Sequence, residues 1–340
     1  MEPARTSDWR MRLLFFFVVL LMGELTPAAY SNLTSDFYNV SCPTMEAIIE
    51  EVAKAKFKAV GSIVTATTLR LYFHDCIIRG CDASVLISST PDNKAERDAE
   101  ENLSLGGDAL DMVFKAKAAV EMQCPGVVSC ADILAVATRD LVAMVGGPRW
   151  NVTKGRRDGR ISLAADAERG LPGADFHVDQ LTKTFTDHNL SRTDMIALSG
   201  AHSLGFTHCD QIYGRLYNFS GKPGLTDPSI NTTFAKTLKQ QCPQNASSSD
   251  PSIVIALDPS TPFLFDNAYY QNLREGRGCL TSDQTLFNDT RTRNSVITFS
   301  QNQTAFFRAF VAAIGKMGNI GVLTGTQGEI RKDCATINSN

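Results

Sequence analysis

The sequence lacks the marks of several large protein classes. Its 33 basic and 36 acidic residues are interspersed and sum to a net charge of −3. No basic stripe exists for a nucleic-acid backbone, so that partner class is excluded. Beyond the N-terminal segment no stretch is long and apolar enough to span a bilayer, and the chain does not end in an ER-retention signal. No internal repeat is visible, and no alternating apolar–polar array announces a β-sheet. Trp150 to Arg157 is the one candidate for a short edge strand. Cys76-x4-Cys81 has no second close pair of Cys or His, which argues against a zinc site.

What the sequence does contain begins with an export signal. Arg5, Arg10 and Arg12 precede the apolar run Leu13 to Met22, and Pro27-Ala28-Ala29 follows. This pattern predicts a signal peptide over residues 1–30, cut near Ala29 to Ser31, and a single domain over residues 31–340. An extracellular destination is expected over the vacuole, because only six residues follow Cys334 and no C-terminal propeptide is evident. An oxidising destination accounts for nine cysteines: eight form disulfides and one stays free. Eight cysteines allow 105 connectivities, and spacing alone does not choose among them. Ten Asn-x-Ser/Thr sequons, at Asn32, Asn39, Asn102, Asn151, Asn189, Asn218, Asn231, Asn245, Asn288 and Asn302, make a glycoprotein the expectation.

The dominant periodicity is helical. Thr44 is placed to cap a helix with Met45, Ile48, Ile49 and Val52 on one stripe. Further helices are predicted over 108–123, from Ser129 to the stop at Gly146-Gly147-Pro148, and over 178–188, 194–199, 232–241, 267–275 and 303–317. Ser191-x-x-Asp194 has capping-box form, and Pro243 to Pro251 reads as a polar surface loop. The fold class is therefore mostly α, as two helical halves with a ligand between them.

Arg70 and His74 lie four apart in LRLYFHDC, on one helical face among Leu69, Leu71 and Phe73. Taken alone, such a pair is more often a salt-bridging Arg and a core His. The following residues change that reading: Asp75, Gly80, Asp82 and Ser84 crowd hard oxygen ligands and a turn into ten residues, a composition suited to Ca²⁺. ALSGAHSLG places His202 before a hydroxyl residue. The pentapeptide AHSLG also has the form of a hydrolase nucleophile elbow around Ser203. That alternative needs a strand before Ser203 and strand–helix alternation, and the sequence has neither. Asp258-Pro-Ser-Thr261-Pro-x-Leu264-x-Asp266 is a second oxygen-rich turn. Asp283 stands near a helix start, where it could be a cap.

With LRLYFHDCIIRGCDASVL, CPGVVSCADILA, GGPRWNV, GRRDG, ALSGAHSLG, RLYNFS, TPFLFDNAYY, TSDQ and MGNIGVLTGTQGEIRKDC in order, the chain resembles the plant secretory (class III) haem peroxidases. The resemblance runs from Phe37 to Cys334. It implies a donor:hydrogen-peroxide oxidoreductase of the haem-peroxidase fold, distal and proximal halves enclosing a non-covalent haem b. No Cys-x-x-Cys-His is present to attach haem covalently. The resemblance assigns His202 to the iron and Asp283 to its other ring nitrogen. It makes His74 the general base for peroxide and gives Arg70 the charge that develops as the O–O bond breaks. Asn102 would hold His74 in the useful tautomer and so be buried and unglycosylated. Phe73 would line the haem, and Pro172 the aromatic-donor channel.

Two calcium sites are implied: Asp75, Ile78, Gly80, Asp82 and Ser84 on the distal side, and Ser203, Asp258, Thr261, Leu264 and Asp266 on the proximal. The implied disulfides are Cys42–Cys124, Cys76–Cys81, Cys130–Cys334 and Cys209–Cys242, leaving Cys279 a buried free thiol. Partners are hydrogen peroxide and small phenolic or aromatic donors, with a monomer expected. The sequence departs from the family pattern at few places. Ser203 replaces the usual Thr, and Gly106 stands where many relatives have Arg. Glu100 and Asp175 stand where a well-known member has phenylalanines at the haem edge. A non-catalytic calcium glycoprotein is the remaining alternative, and the presence of Arg70, His74, His202 and Asp283 argues against it.

Overall fold

A computed structural model describes residues 33–244 and 253–339. The signal peptide, the sequons at Asn32 and Asn245, and most of the Pro243–Pro251 loop lie outside the described residues.

The first four long helices are α1 (Met45–Val60), α2 (Ile63–Ile78), α3 (Gly107–Gln123) and α4 (Cys130–Met144), and they pack on one another. Helix α2 is sheathed on almost every side, with Leu69, Leu71, Tyr72 and Ile77 all buried. That makes it the central element, with apolar residues on several faces and its polar groups, His74 and Asp75 among them, buried with them. Helix α4 starts where its cap dictates: Ser129 Oγ accepts from Asp132 N at 3.1 Å. Helix α1 does not. Thr44 occupies the N-cap position but makes no side-chain cap bond, and its backbone is already helical.

After α5 (Ala164–Gly170) come α6 (Val178–Asp187) and α7 (Arg192–Ser199). The Ser191/Asp194 box closes in both directions, starting α7 two residues earlier than periodicity suggests. A 3-10 turn, Gly200–Ser203, follows directly. The rest is β1 (Phe206–His208), α8 (Asp210–Tyr217), α9 (Thr232–Gln241), β2 (Val254–Ala256), α10 (Ala268–Arg274), α11 (Thr281–Asn288), α12 (Thr290–Gln301) and α13 (Gln303–Met317). β1 and β2 form a two-stranded antiparallel sheet. Trp150 to Arg157 is not a strand. It is extended, and Lys154 and Arg157 make only isolated bridges to Thr34 and Leu323.

A second helical group, α7 with α10, α12 and α13, stacks against the first, and α2 lies against both α13 and the Gly200–Ser203 turn. One continuous core joins the two groups, with Phe265, Tyr270, Phe306 and Phe310 interlocked at its centre. Each fully buried side chain of this size contributes about 1.5–3 kcal/mol. Gly200 is required there, since a Cβ would stand 2.5 Å from both Tyr270 Oη and the Phe306 ring. Four disulfides staple the fold: Cys42–Cys124, Cys76–Cys81, Cys130–Cys334 and Cys209–Cys242. Cys279 is free and buried.

Candidate active site

Helix α2 presents Arg70 and His74 one turn apart toward the segment Glu96–Ser104. Arg70 donates from Nη1 to Ser104 O (3.1 Å) and Ser104 Oγ (3.0 Å), and from Nη2 to Glu101 O (3.1 Å). Three bonds fix the guanidinium in one pose. Arg70 stays open to solvent, yet burial lowers its pKa to about 10, so its guanidinium sits in a recess and not on the outermost surface.

His74 Nδ1 lies 2.6 Å from Asn102 Oδ1, and Asn102 Nδ2 donates to Glu96 O at 2.7 Å. The second bond orients the amide, because a carbonyl can only accept. Oδ1 must then accept, so Nδ1 of His74 carries the proton and Nε2 is an open lone pair. Burial, reinforced by the Arg70 charge, depresses the His74 pKa to about 3 against the Asn102 bond. The imidazole is thus neutral near pH 7. Asn102 is 1% exposed with both amide ends engaged, which leaves no room for a glycan. Phe73 stands edge-on to His74 at 6.0 Å and leans on Phe185.

The second imidazole, His202, sits on the Gly200–Ser203 turn. Its Nδ1 lies 2.7 Å from Asp283 Oδ1. Burial alone would lower the His202 pKa, but the charge and hydrogen bond of Asp283 outweigh it and raise the pKa. Asp283 is also a cap, as its position at the start of α11 suggests: Oδ2 accepts Leu280 N at 3.2 Å. Tyr269 Oη donates to the same Oδ1 at 2.8 Å. Sequence reasoning missed Tyr269, because a tyrosine in an apolar helix start reads as core. The His202 side chain is 37% exposed although protein surrounds it, so it opens on an internal cleft. The helix that carries Arg70 and His74 lies against the Gly200–Ser203 turn, and the Arg70 charge acts to lower the pKa of both imidazoles. Neither Nε2 has a hydrogen-bond partner among the described residues.

The two oxygen-rich turns each close into a cluster. Ala83 N and Val85 N donate to Asp75, Ser84 N donates to Asp82 Oδ1, and Asp82 N donates to Gly80 O. Burial and then the neighbouring Asp82 charge push the Asp75 carboxyl well up; Asp82 moves the same way by burial. Gly80 has φ +108° and packs against Gly321, where no other residue fits. Ile78 ends α2 half-buried, its side chain on the small apolar pad of Ala99, Ala164 and Ala167 that also receives Leu171, next to Pro172. On the other side Ser203 Oγ donates to Leu264 O (2.8 Å) and accepts from Asp266 N (3.1 Å), while Thr261 Oγ1 donates to Asp266 Oδ1 (3.1 Å). Asp258 Oδ1 accepts from Thr261 N at 3.0 Å, and burial raises its pKa. Among the described residues no three His, Cys, Asp or Glu side chains are grouped to hold a metal. An ion at either turn would need hydroxyl and carbonyl ligands as well.

Residues 49–302 match the model of the family described as peroxidase. Peroxidase 45 of Arabidopsis thaliana is 48% identical over 326 residues, 95% of this chain and 96% of that protein. Peroxidase 16 is 47% identical over 327 residues (95% and 98%), and Peroxidase 51 is 48% identical over 310 residues (91% and 93%), both of the same plant. The chain belongs to the plant secretory (class III) haem peroxidases. This peroxidase carries residues that fit haem. His74 and His202 each leave Nε2 without a hydrogen-bond partner among the described residues, and the half-buried Phe73 stands beside His74. The hydrolase elbow is ruled out by geometry: Ser203 is fully buried, ends a 3-10 turn that follows a helix with no strand before it, and hydrogen-bonds to backbone with no imidazole. No helix of the described residues is long and apolar enough to cross a membrane.

Proposed function

We propose that His74 and His202 divide the work of peroxide reduction, and the observation that carries this is the contrast between their Nδ1 partners. A neutral amide faces His74; a buried carboxylate faces His202. A carboxylate partner strengthens the donor power of the opposite nitrogen, as suits a permanent iron ligand. A neutral partner fixes the tautomer without holding a positive charge, as suits a base that takes up a proton and gives it back. Haem b, held non-covalently with His202 as its iron ligand, would supply the two electrons that O–O cleavage consumes. His74 Nε2 removes a proton from the near peroxide oxygen and delivers it to the departing one, releasing water. Arg70, anchored by Ser104 and Glu101, offsets the negative charge on that departing oxygen. Asn102 keeps His74 in register, and Phe73 and Pro172 flank the haem and the donor path.

Two Ca²⁺ ions complete the reading, one at Asp75, Ile78, Gly80, Asp82 and Ser84 and one at Ser203, Asp258, Thr261, Leu264 and Asp266. Each cluster begins one residue after a site histidine, so an ion would stiffen the backbone that carries that imidazole. The enzyme is read as a secreted, monomeric glycoprotein whose domain spans residues 31–340. Asn39, Asn151, Asn189, Asn218, Asn231, Asn288 and Asn302 are all exposed and fit N-glycans. Its donors are phenols or aromatic amines oxidised by single electrons. The deciding experiment is an absorption spectrum of the purified protein with a guaiacol assay. A Soret band and peroxide-dependent oxidation are expected, with the oxidation lost in His74→Ala while the Soret band persists. A His74→Ala variant of full activity would refute the assignment.

A further inference from the structure

Asp283 serves three donors, of which the mechanism above uses one. Its Oδ1 accepts from His202 Nδ1 at 2.7 Å and from Tyr269 Oη at 2.8 Å, and its Oδ2 accepts from Leu280 N at 3.2 Å. Tyr269 is 1% exposed, its ring edge-on to His202 at 6.3 Å and to Tyr270 at 4.9 Å. Its hydroxyl has no other acceptor among the described residues, so the phenol is committed to this oxygen. Imidazole and phenol therefore draw on the same lone pairs. Each hydrogen bond to a carboxylate lowers its affinity for a further proton. The phenol thus limits how far the proton on His202 Nδ1 is pulled toward Asp283.

We propose that Tyr269 is a positioning residue that acts through Asp283 to set how much negative charge reaches His202, and so sets the reduction potential of the haem iron. The inference rests on the reading of His202 as the iron ligand. Second-sphere hydrogen bonds are a recognised lever on such potentials, and here the lever runs opposite to the His202–Asp283 bond. Deleting the hydroxyl makes Asp283 a stronger acceptor for His202, raises electron density at the iron and stabilises its ferric form. A mere structural prop would behave in the other sense: without it Asp283 would drift, the His202 bond would weaken and the potential would rise.

The test is Tyr269→Phe in the haem-loaded enzyme, read by spectroelectrochemistry and by the iron–histidine stretch in resonance Raman of the ferrous form. A downward shift equivalent to roughly a tenfold change in the reduction equilibrium, about 59 mV for one electron, is expected, with the stretch moving up. Tyr270→Phe is the control. It deletes a buried hydroxyl that donates to Ile196 O (2.8 Å) and Ala197 O (3.3 Å) in the same core and never touches Asp283. It should cost stability and leave the potential in place. An unchanged or raised potential in Tyr269→Phe overturns the proposal. Should that variant fail to fold, 3-fluorotyrosine at position 269 keeps ring and hydroxyl but donates more strongly. The potential must then rise, and no shift refutes the idea. An iron–histidine band absent from the unmodified enzyme would instead sink the ligand reading itself, so the two failures are distinct.

Discussion

Asn102→Val isolates the hydrogen bond that orders the distal histidine. Valine is close in size to asparagine and removes both polar ends from a residue that is 1% exposed. Two bonds disappear, to His74 Nδ1 (2.6 Å) and to Glu96 O (2.7 Å). A neutral intramolecular hydrogen bond is worth a net of about 0.5–1.5 kcal/mol. Losing the first lets His74 populate the tautomer whose Nε2 bears the proton and cannot act as base, and lets the ring turn. With each 1.36 kcal/mol worth tenfold in rate, peroxide cleavage should slow by about 2- to 13-fold. The loss is bounded above, since removing a general base outright costs about 10²–10⁴-fold, and Asn102 acts only through His74. Losing the second bond leaves the Glu96 carbonyl with the Ala99 N–H (3.0 Å) as its remaining donor, a separate stability cost of about 0.5–1.5 kcal/mol. Stopped-flow mixing with hydrogen peroxide, followed at the Soret band, gives the rate; His74→Ala sets the floor. Asn102→Asp should fall between, because it still accepts from His74 but cannot donate to Glu96 O. An Asn102→Val rate within twofold of wild type at equal haem content refutes the tautomer argument. So does a rate below that of His74→Ala.

Cys279 is fully buried, and burial followed by the Asp283 charge pushes its thiol pKa up to about 12. Iodoacetamide at pH 8 should leave the folded enzyme unlabelled and modify one thiol per chain after unfolding; labelling of the native protein would contradict this. Arg215 is buried and donates to Asp227 Oδ2 (2.8 Å), Gly278 O (2.7 Å) and Cys279 O (2.6 Å). Arg215→Met strands all three acceptors and should cost about 3–5 kcal/mol in chemical denaturation. Burial would raise the Asp227 pKa, but the Ser229 and Arg215 bonds hold it below the ordinary value. Its stabilisation is therefore present above pH ~4 and lost as pH falls through the depressed folded value. Asp227→Asn should flatten that acid limb of the stability curve. Calcium chelation should alter the Soret band before the helical circular dichroism falls, and a Soret spectrum unmoved by chelation would remove calcium from the account. Glu100 and Asp175 are both exposed, so at low salt a neutral phenol should show a higher kcat/KM than its carboxylate analogue, and equal values would exclude steering by these acids.

Local chemistry by itself determined a good deal. Thr232–Gln241 and Gln303–Met317 are helices with the predicted bounds, since apolar periodicity and flanking stop residues are properties of a short window. Ser129 and the Ser191/Asp194 box start helices because a cap needs only its own next three residues. The four-residue spacing of Arg70 and His74 placed both on one face before any fold was known.

Contacts between distant segments decided the rest. Helices 164–170, 210–217 and 290–301 are short or polar and are held by tertiary packing, which overrides weak propensity. Trp150 to Arg157 has strand-forming composition, but its partners come singly from Thr34 and Leu323, so no ladder forms. Tyr269 and Asp283 meet His202 only because α10, α11 and the turn before β1 converge, 14 and 81 residues apart along the chain. Sequence named the two histidines and, through the family resemblance, Asn102 and Asp283 as their partners; only the fold brings each pair within hydrogen-bond distance, and burial gives the two bonds opposite effects on their imidazoles.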